Sequence, residues 1–223
     1  MKLARLTILG TGTEVGKTYV ACRIIESLVR DGVAVGAYKP VASGAPSLEQ
    51  SDGFKLWQAS GQRGTLTEVT PQHFTAPFAP PIAAELENKQ VSDKAIKDGA
   101  MNWASRCELL ILEGAGGLMS PISWAMTNAS LALELHFPVV LVSENRLGVV
   151  NQVLTTLVAA RSIGLDVCTI VLNDVHPIKK VSANSNERLL RKFIERYQNP
   201  PEITALEFES TSFRPAVRWV DFV

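Results

Sequence analysis

The segment Leu9-Gly-Thr-Gly-Thr-Glu-Val-Gly-Lys-Thr18 stands directly between an apolar run, Leu6-Thr-Ile-Leu9, and a stretch of helical periodicity. It constrains the chain to a strand, a phosphate-binding turn and a helix in immediate succession. Successive backbone N–H groups must wrap a polyphosphate, so glycines keep side chains away and supply unusual φ/ψ. The helix then points its positive end at the anion. In this arrangement Lys17 would reach the outer phosphates and the Thr18 hydroxyl would ligate Mg²⁺. Strict G-x-x-x-x-G-K-[ST] spacing is not met, because Thr11 lies five residues before Gly16; counting from Gly10 gives a loop one residue longer. A bare strand-to-helix turn is the alternative, and it leaves the register of strand, Gly-Lys-Thr and helix without a cause.

The rest of the chain alternates in the same manner. Largely apolar runs predict buried strands at 4–9, 33–38, 109–112, 139–142 and 167–172, without the strict alternation of a half-solvated sheet. Helical spacing fills 17–30, 52–60, 81–88, 93–105, 149–163 and 186–197, with Gly32 and Gly164 where helix C-terminal glycines belong. This order implies an α/β fold of three layers, a mainly parallel sheet with helices on both faces, P-loop NTPase-like and forming one domain over 1–223. Active groups should gather at the carboxyl ends of the strands. The stretch 42–80, richer in Ser, Thr, Gly and Pro, reads as long functional loops.

Charge narrows the partners. The chain has 22 basic and 22 acidic residues and a net charge of zero, which favours neither a nucleic acid nor a membrane surface. No apolar run reaches the ~18 residues of a membrane span. The start of the chain runs straight into the phosphate loop and does not read as a signal peptide. Cys22, Cys107 and Cys168 are odd in number, far apart and set among apolar residues, so they read as reduced core thiols of a cytoplasmic protein. His73, His136 and His176 are scattered and read as structural.

Several polar groups fall at strand ends. Lys39, in Tyr38-Lys-Pro-Val-Ala-Ser-Gly44, leaves a buried strand and can neutralise charge on a transferred phosphoryl group or its acceptor. Ser51-Asp52 opens a helix, so either residue could be its cap, while Asp52 could also be a hard oxygen ligand for Mg²⁺. Glu113 closes an aliphatic run in the position of a Walker-B-type acid, and Gly114, Gly116 and Gly117 after it allow close approach of backbone to a ligand. The turn Asn145-Arg-Leu-Gly-Val-Val-Asn151 enters a helix whose free N–H groups suit a carboxylate or phosphate. Asn173, before Asp174, presents both a donor and an acceptor, as a purine edge requires, or serves as a turn residue.

Taken together, Thr13-Glu-Val-Gly-Lys-Thr18, the Tyr38–Gly44 segment, Glu113-Gly-Ala-Gly-Gly117, Arg146-Leu-Gly148 with Asn151, and Asn173-Asp174 resemble the dethiobiotin synthetase family in order and spacing over about residues 10–175. The resemblance implies ATP-dependent carboxylation of 7,8-diaminononanoate with CO₂ and ring closure to dethiobiotin. It also implies an ATP and Mg²⁺ site and a homodimer. By position, Thr13, Glu14, Val15, Gly16, Lys17, Thr18 and Tyr19, with Gly114, Ala115 and Gly116, would surround the nucleotide. Asn173 and Asp174 would meet its base, and Thr18, Asp52 and Glu113 the metal. Lys39 and Lys17 would be catalytic, with Lys39 and Ser43 contacting the carbamate and the transferring phosphate. Backbone of Gly148, Val149, Val150 and Asn151 would bind the substrate carboxylate from the neighbouring subunit.

The chain departs from the family pattern at four places. Gly12 stands where Asp is expected, Pro80-Pro81 where Pro-His is usual, and Gln152 where His is frequent. Only Glu202-Ile203-Thr204 stands near the expected Gly-x-Ile-Pro of the base pocket. Two other readings therefore stay open: a related P-loop amidoligase or carboxylase acting on another amine, and a ParA/MinD-like nucleotide switch. The switch family carries a signature lysine where this chain has Gly12.

Overall fold

Runs that are apolar on both faces can be buried only between two helical layers, and this is how the chain folds. The computed structural model describes residues 4–177, 183–210 and 213. In chain order the strands are β1 (Ala4–Gly10), β2 (Val35–Tyr38), β3 (Val41–Ser43), β4 (Gln72–Phe74), β5 (Leu109–Gly117), β6 (Val139–Glu144), β7 (Val167–Asn173) and β8 (Glu202–Leu206). The helices are α1 (Lys17–Arg30), α2 (Asp52–Ala59), α3 (Leu66–Val69), α4 (Pro80–Leu86), α5 (Asp93–Ala104), α6 (Asn128–Leu135), α7 (Val149–Ser162) and α8 (Ala183–Ile194).

Six strands form one sheet in the order β2-β5-β1-β6-β7-β8, every neighbouring pair parallel, while β3 and β4 make a separate parallel pair. From β1 the chain builds first to one side (β2, β5) and then to the other (β6, β7, β8). The phosphate loop after β1 thus lies where the layout reverses, the usual place for a ligand crevice in such sheets. Successive residues of β6 divide between the two faces. Val140 and Val142 join the cluster containing Val20 and Ile24 of α1, whereas Val139 and Leu141 join Val153 and Leu157 of α7 and Leu190 of α8.

The expected strands and long helices are present, with shifted ends. Helix α1 has the expected span, and Gly32 and Gly164 take the left-handed conformation just beyond α1 and α7. Pro80 and Pro81 both fit the first turn of α4, where a missing N–H costs nothing. Strand β5 runs on through the glycines to Gly117, beyond the expected stop at Leu112. Asn128 on α6 props this extension, its amide donating to the carbonyls of Ala115 and Gly117 at 2.7 Å each. The sequence reading did not anticipate β3, β4, α3, α6 and β8. Helix α3 had a legible start, the Thr65–Glu68 capping box.

Candidate active site

The turn after β1 requires glycine at two positions. A Cβ at Gly10 would stand 2.7 Å from the Gly12 carbonyl, and one at Gly16 (φ 86°) would stand 2.1 Å from the Asn173 amide nitrogen. Gly12 differs, since a Cβ there meets nothing within 4 Å. Lys17 opens α1 and arches back over the loop, donating to the Gly12 carbonyl at 3.0 Å. Burial, and then the nearby Lys39 charge, push the Lys17 ammonium below its ordinary value, partly offset by Glu113 and Asp52.

Strand register supplies the next pair. Tyr38 lies beside Leu112 in the β2–β5 ladder, so Lys39, the first residue past β2, stands next to Glu113 within β5. The Lys39 ammonium donates to Glu113 Oε1 at 2.6 Å and to the Gly114 carbonyl at 2.9 Å. Both side chains are buried, Glu113 completely. Thr18 donates its hydroxyl to the same Oε1 at 2.9 Å, and Glu113 Oε2 is buried with no partner.

Ser51, not Asp52, caps α2: its Oγ accepts from the Phe54 N–H at 3.3 Å and donates to the Leu48 carbonyl at 2.6 Å. The cap is thereby settled and the Asp52 carboxylate remains for other partners, one being Lys55 at 3.1 Å. Burial raises the Asp52 carboxyl, but Lys39, Lys55 and the Thr18 hydroxyl outweigh it and hold the group below the usual carboxylate range.

A cleft of about 460 Å³ opens over these groups. Of the expected residues it gathers Thr13, Glu14, Lys17, Lys39, Ser43, Asp52, Ala115 and Gly116 on its walls. The sequence reading missed Ala42, Ala45, Pro46 and Gln50, which also line it and come from the Ser/Pro-rich stretch read only as functional loops. Ser43 donates to the Phe78 carbonyl at 2.7 Å. Gly114 faces the protein interior, where a Cβ would collide with Asn128 and Leu9 at 2.4 and 2.5 Å. Its need for glycine is therefore packing, while its carbonyl holds Lys39.

Across β1 the remaining residues form a second wall. Asn173, fully buried, donates to the Val15 carbonyl of the phosphate loop at 3.1 Å, and its own Oδ1 is buried without a partner. The Asp174 N–H donates to the Leu206 carbonyl at 2.9 Å, and the Tyr19 hydroxyl to the Ser210 carbonyl at 3.0 Å. Glu202, Ile203 and Thr204 belong to strand β8 beside Thr169, Ile170 and Val171, an edge strand where the sequence reading looked for a remnant of the base pocket. Gly148 (φ 92°) precedes α7, but the Val149 N–H is already bonded to the Arg146 carbonyl at 3.1 Å. This leaves Gly148, Val150 and Asn151 as the N–H groups of the turn without helical partners. None of 148–151 lines the cleft.

Among the described residues no cluster of three His, Cys, Asp or Glu could hold a metal, and no helix is long and apolar enough to cross a membrane. The three cysteines are free and buried, and burial pushes the Cys22 thiol up to about 12. His73 bonds the Ala45 carbonyl at 2.9 Å, and His136 closes α6.

Comparison with known proteins gives one consistent result. A family model described as an AAA domain matches residues 4–208. A protein of Rhodopirellula baltica named ATP-dependent dethiobiotin synthetase BioD is 36% identical over 83% of this chain and 78% of its own. One of the same name from Anaeromyxobacter dehalogenans is 36% identical over 86% of each chain. Among solved structures, the hydrogenase maturation factor HypB from Archaeoglobus fulgidus is similar at a TM-score of 0.55 and 17% identity, over 99% of this chain and 88% of that one, a likeness of fold alone.

Proposed function

The chain belongs to the ATP-dependent dethiobiotin synthetase family, and from that premise we propose that it carboxylates 7,8-diaminononanoate with CO₂ and closes the product ring to dethiobiotin, using ATP. The observation that carries this reading is a cleft lined by Lys17, Lys39 and Asp52, in which Lys39 is tied to the buried Glu113 that also accepts from the Thr18 hydroxyl.

The chemistry this arrangement suits has three steps. An amine of the substrate takes up CO₂ as a carbamate. A carbamate oxygen then attacks the γ-phosphorus of ATP, breaking the bond to the leaving ADP and giving a carbamic–phosphoric anhydride. The second amine attacks the carbamate carbon, forms the ring C–N bond and expels phosphate. The protein needs no nucleophile of its own; it must position the reactants and neutralise developing charge. Lys17 faces the outer phosphates, and Lys39 with Ser43 faces the acceptor. The phosphate loop from Thr13 to Tyr19, with Ala115 and Gly116, borders the phosphates, and the orphaned Asn173 Oδ1 suits an amino group on the purine edge.

The residues present fit a Mg²⁺ ion. Glu113 has one buried oxygen without a partner, Thr18 an adjacent hydroxyl, and Asp52 a carboxylate held ionised. Bound there, the ion would offset charge on the phosphate oxygens. The turn 148–151 lies outside the cleft, and Leu147 and Val158 expose apolar surface at 81% and 61%. We therefore assign the substrate carboxylate to this turn of a second copy, in a homodimer. Buried free thiols suit the reducing cytoplasm.

The test is turnover with 7,8-diaminononanoate, bicarbonate and Mg-ATP, reading dethiobiotin by mass spectrometry beside phosphate release. Equal amounts of both are expected. Phosphate without dethiobiotin would overturn this reading in favour of a related ligase or a nucleotide switch.

A further inference from the structure

Glu113 is one buried carboxylate with two claims on it. Its Oε1 already accepts from the Lys39 ammonium at 2.6 Å and from the Thr18 hydroxyl at 2.9 Å, and its Oε2 is buried and unpartnered. Among the described residues the Lys39 ammonium has one hydrogen-bond partner besides Glu113, the Gly114 carbonyl at 2.9 Å. A buried ammonium and a buried carboxylate depend on one another, because neither can recover its hydration. A divalent cation is a hard acid that seeks the same oxygens. In a low-dielectric site it also repels an ammonium held on the same carboxylate. Lys39 borders the open cleft as well, so its head group has a polar space to enter.

We propose that Lys39 is the resident counterion of Glu113 and competes with the divalent cation for it, so that cation binding at Glu113, Thr18 and Asp52 releases the Lys39 ammonium into the cleft. The inference rests on the nucleotide and metal reading given above. It makes Lys39 available to the acceptor only when the metal site is filled, and it keeps Glu113 compensated at other times. By linkage the effect is reciprocal: an anion in the cleft that draws Lys39 away from Glu113 tightens cation binding by the same factor.

The sign of one measurement separates this from an ordinary supporting role. Removing a group that orients a metal ligand weakens metal affinity, typically about 10- to 100-fold. Removing a competitor strengthens it. The experiment is titration of Mn²⁺ into enzyme carrying substoichiometric ADP, with free Mn²⁺ read by electron paramagnetic resonance. Lys39→Met is expected to bind Mn²⁺ about tenfold more tightly than wild type, an effect of opposite sign to the usual outer-group loss. Lys39→Arg, which keeps a cation on Glu113, should stay near wild type. Unchanged or weaker binding by Lys39→Met, with wild type binding normally, overturns the proposal and leaves the site reading intact. Wild type that takes up no Mn²⁺ in the presence of ADP overturns the metal reading and this inference together. A second measurement uses only the native chain: acetylation of Lys39, read by peptide mass spectrometry, should rise several-fold when Mg²⁺ joins ADP. Equal labelling with and without Mg²⁺ overturns the proposal even if Lys39→Met does not fold.

Discussion

The two sides of β1 solve different problems with different chemistry. On the β2–β5 side the wall is ionic: Lys39 and the Thr18 hydroxyl both donate to Glu113, and the Lys39 charge helps to hold Asp52 ionised. On the β6–β7 side the wall is built from neutral amides. Asn173 ties down the phosphate loop, and Asn186 donates to Asn145 Oδ1 at 2.9 Å and to the Arg146 carbonyl at 3.2 Å. Charge that changes during a reaction is best met by fixed charge, whereas recognition of an uncharged base is best met by groups that both donate and accept. The division therefore separates groups that should act on rate from groups that should act on binding.

The ionic side should give the largest effect. Lys17→Ala removes an ammonium whose one hydrogen bond among the described residues is to the Gly12 carbonyl, so the fold should survive while turnover falls by about a thousandfold, the scale of losing a preorganised charge donor. Steady-state kinetics beside a thermal melt checks it. Near-wild-type turnover in a folded variant would break the comparison at its centre.

The amide side should respond in another quantity. Asn173→Ala releases the Val15 carbonyl and removes the orphaned Oδ1, and we expect KM for ATP to rise by roughly 5- to 30-fold, ~1–2 kcal/mol, with kcat at saturating ATP changed much less. Discrimination between ATP and GTP should fall in the same variant. A collapse of kcat comparable to that of Lys17→Ala would show that both walls serve the chemical step.

The ionic wall was more legible in the sequence than the amide wall, and the reason is physical. Lys39 and Glu113 are charged groups placed just after apolar runs, Lys17 and Thr18 end a glycine-rich loop, and Asp52 opens a helical pattern, all visible in one dimension. Their pairing was not visible: Lys39 and Glu113 are 74 positions apart and meet only because β2 and β5 are neighbours in a fixed register. The continuation of β5 through Gly114–Gly117 was hidden because glycine does not announce a strand, and its support comes from Asn128 on α6. Helix α6 itself begins at a Thr127–Ser130 box in which serine replaces the usual Glu or Gln. Strand β8 was missed because Glu202-Ile203-Thr204 was compared with a loop motif, although Ile203 sits beside Ile170 as a buried edge-strand residue.

The smallest effect is a difference in pH response between the walls. Burial raises the Asp52 carboxyl, yet Lys39, Lys55 and Thr18 prevail and hold it below its ordinary value. A depressed folded-state value means that Asp52 stabilises the protein above its unfolded value, near pH ~4, and that this stability is lost as pH falls through the folded value. In metal-free protein, Asp52→Asn should therefore melt below wild type at neutral pH, and the gap should close on acidification below pH ~4. Amides do not titrate, so the gap between wild type and Asn173→Ala should hold constant across the same window. A constant gap for Asp52→Asn would mean that its charge is not linked to Lys39 in the folded state. The ionic wall would then shrink to Lys39, Glu113 and Thr18.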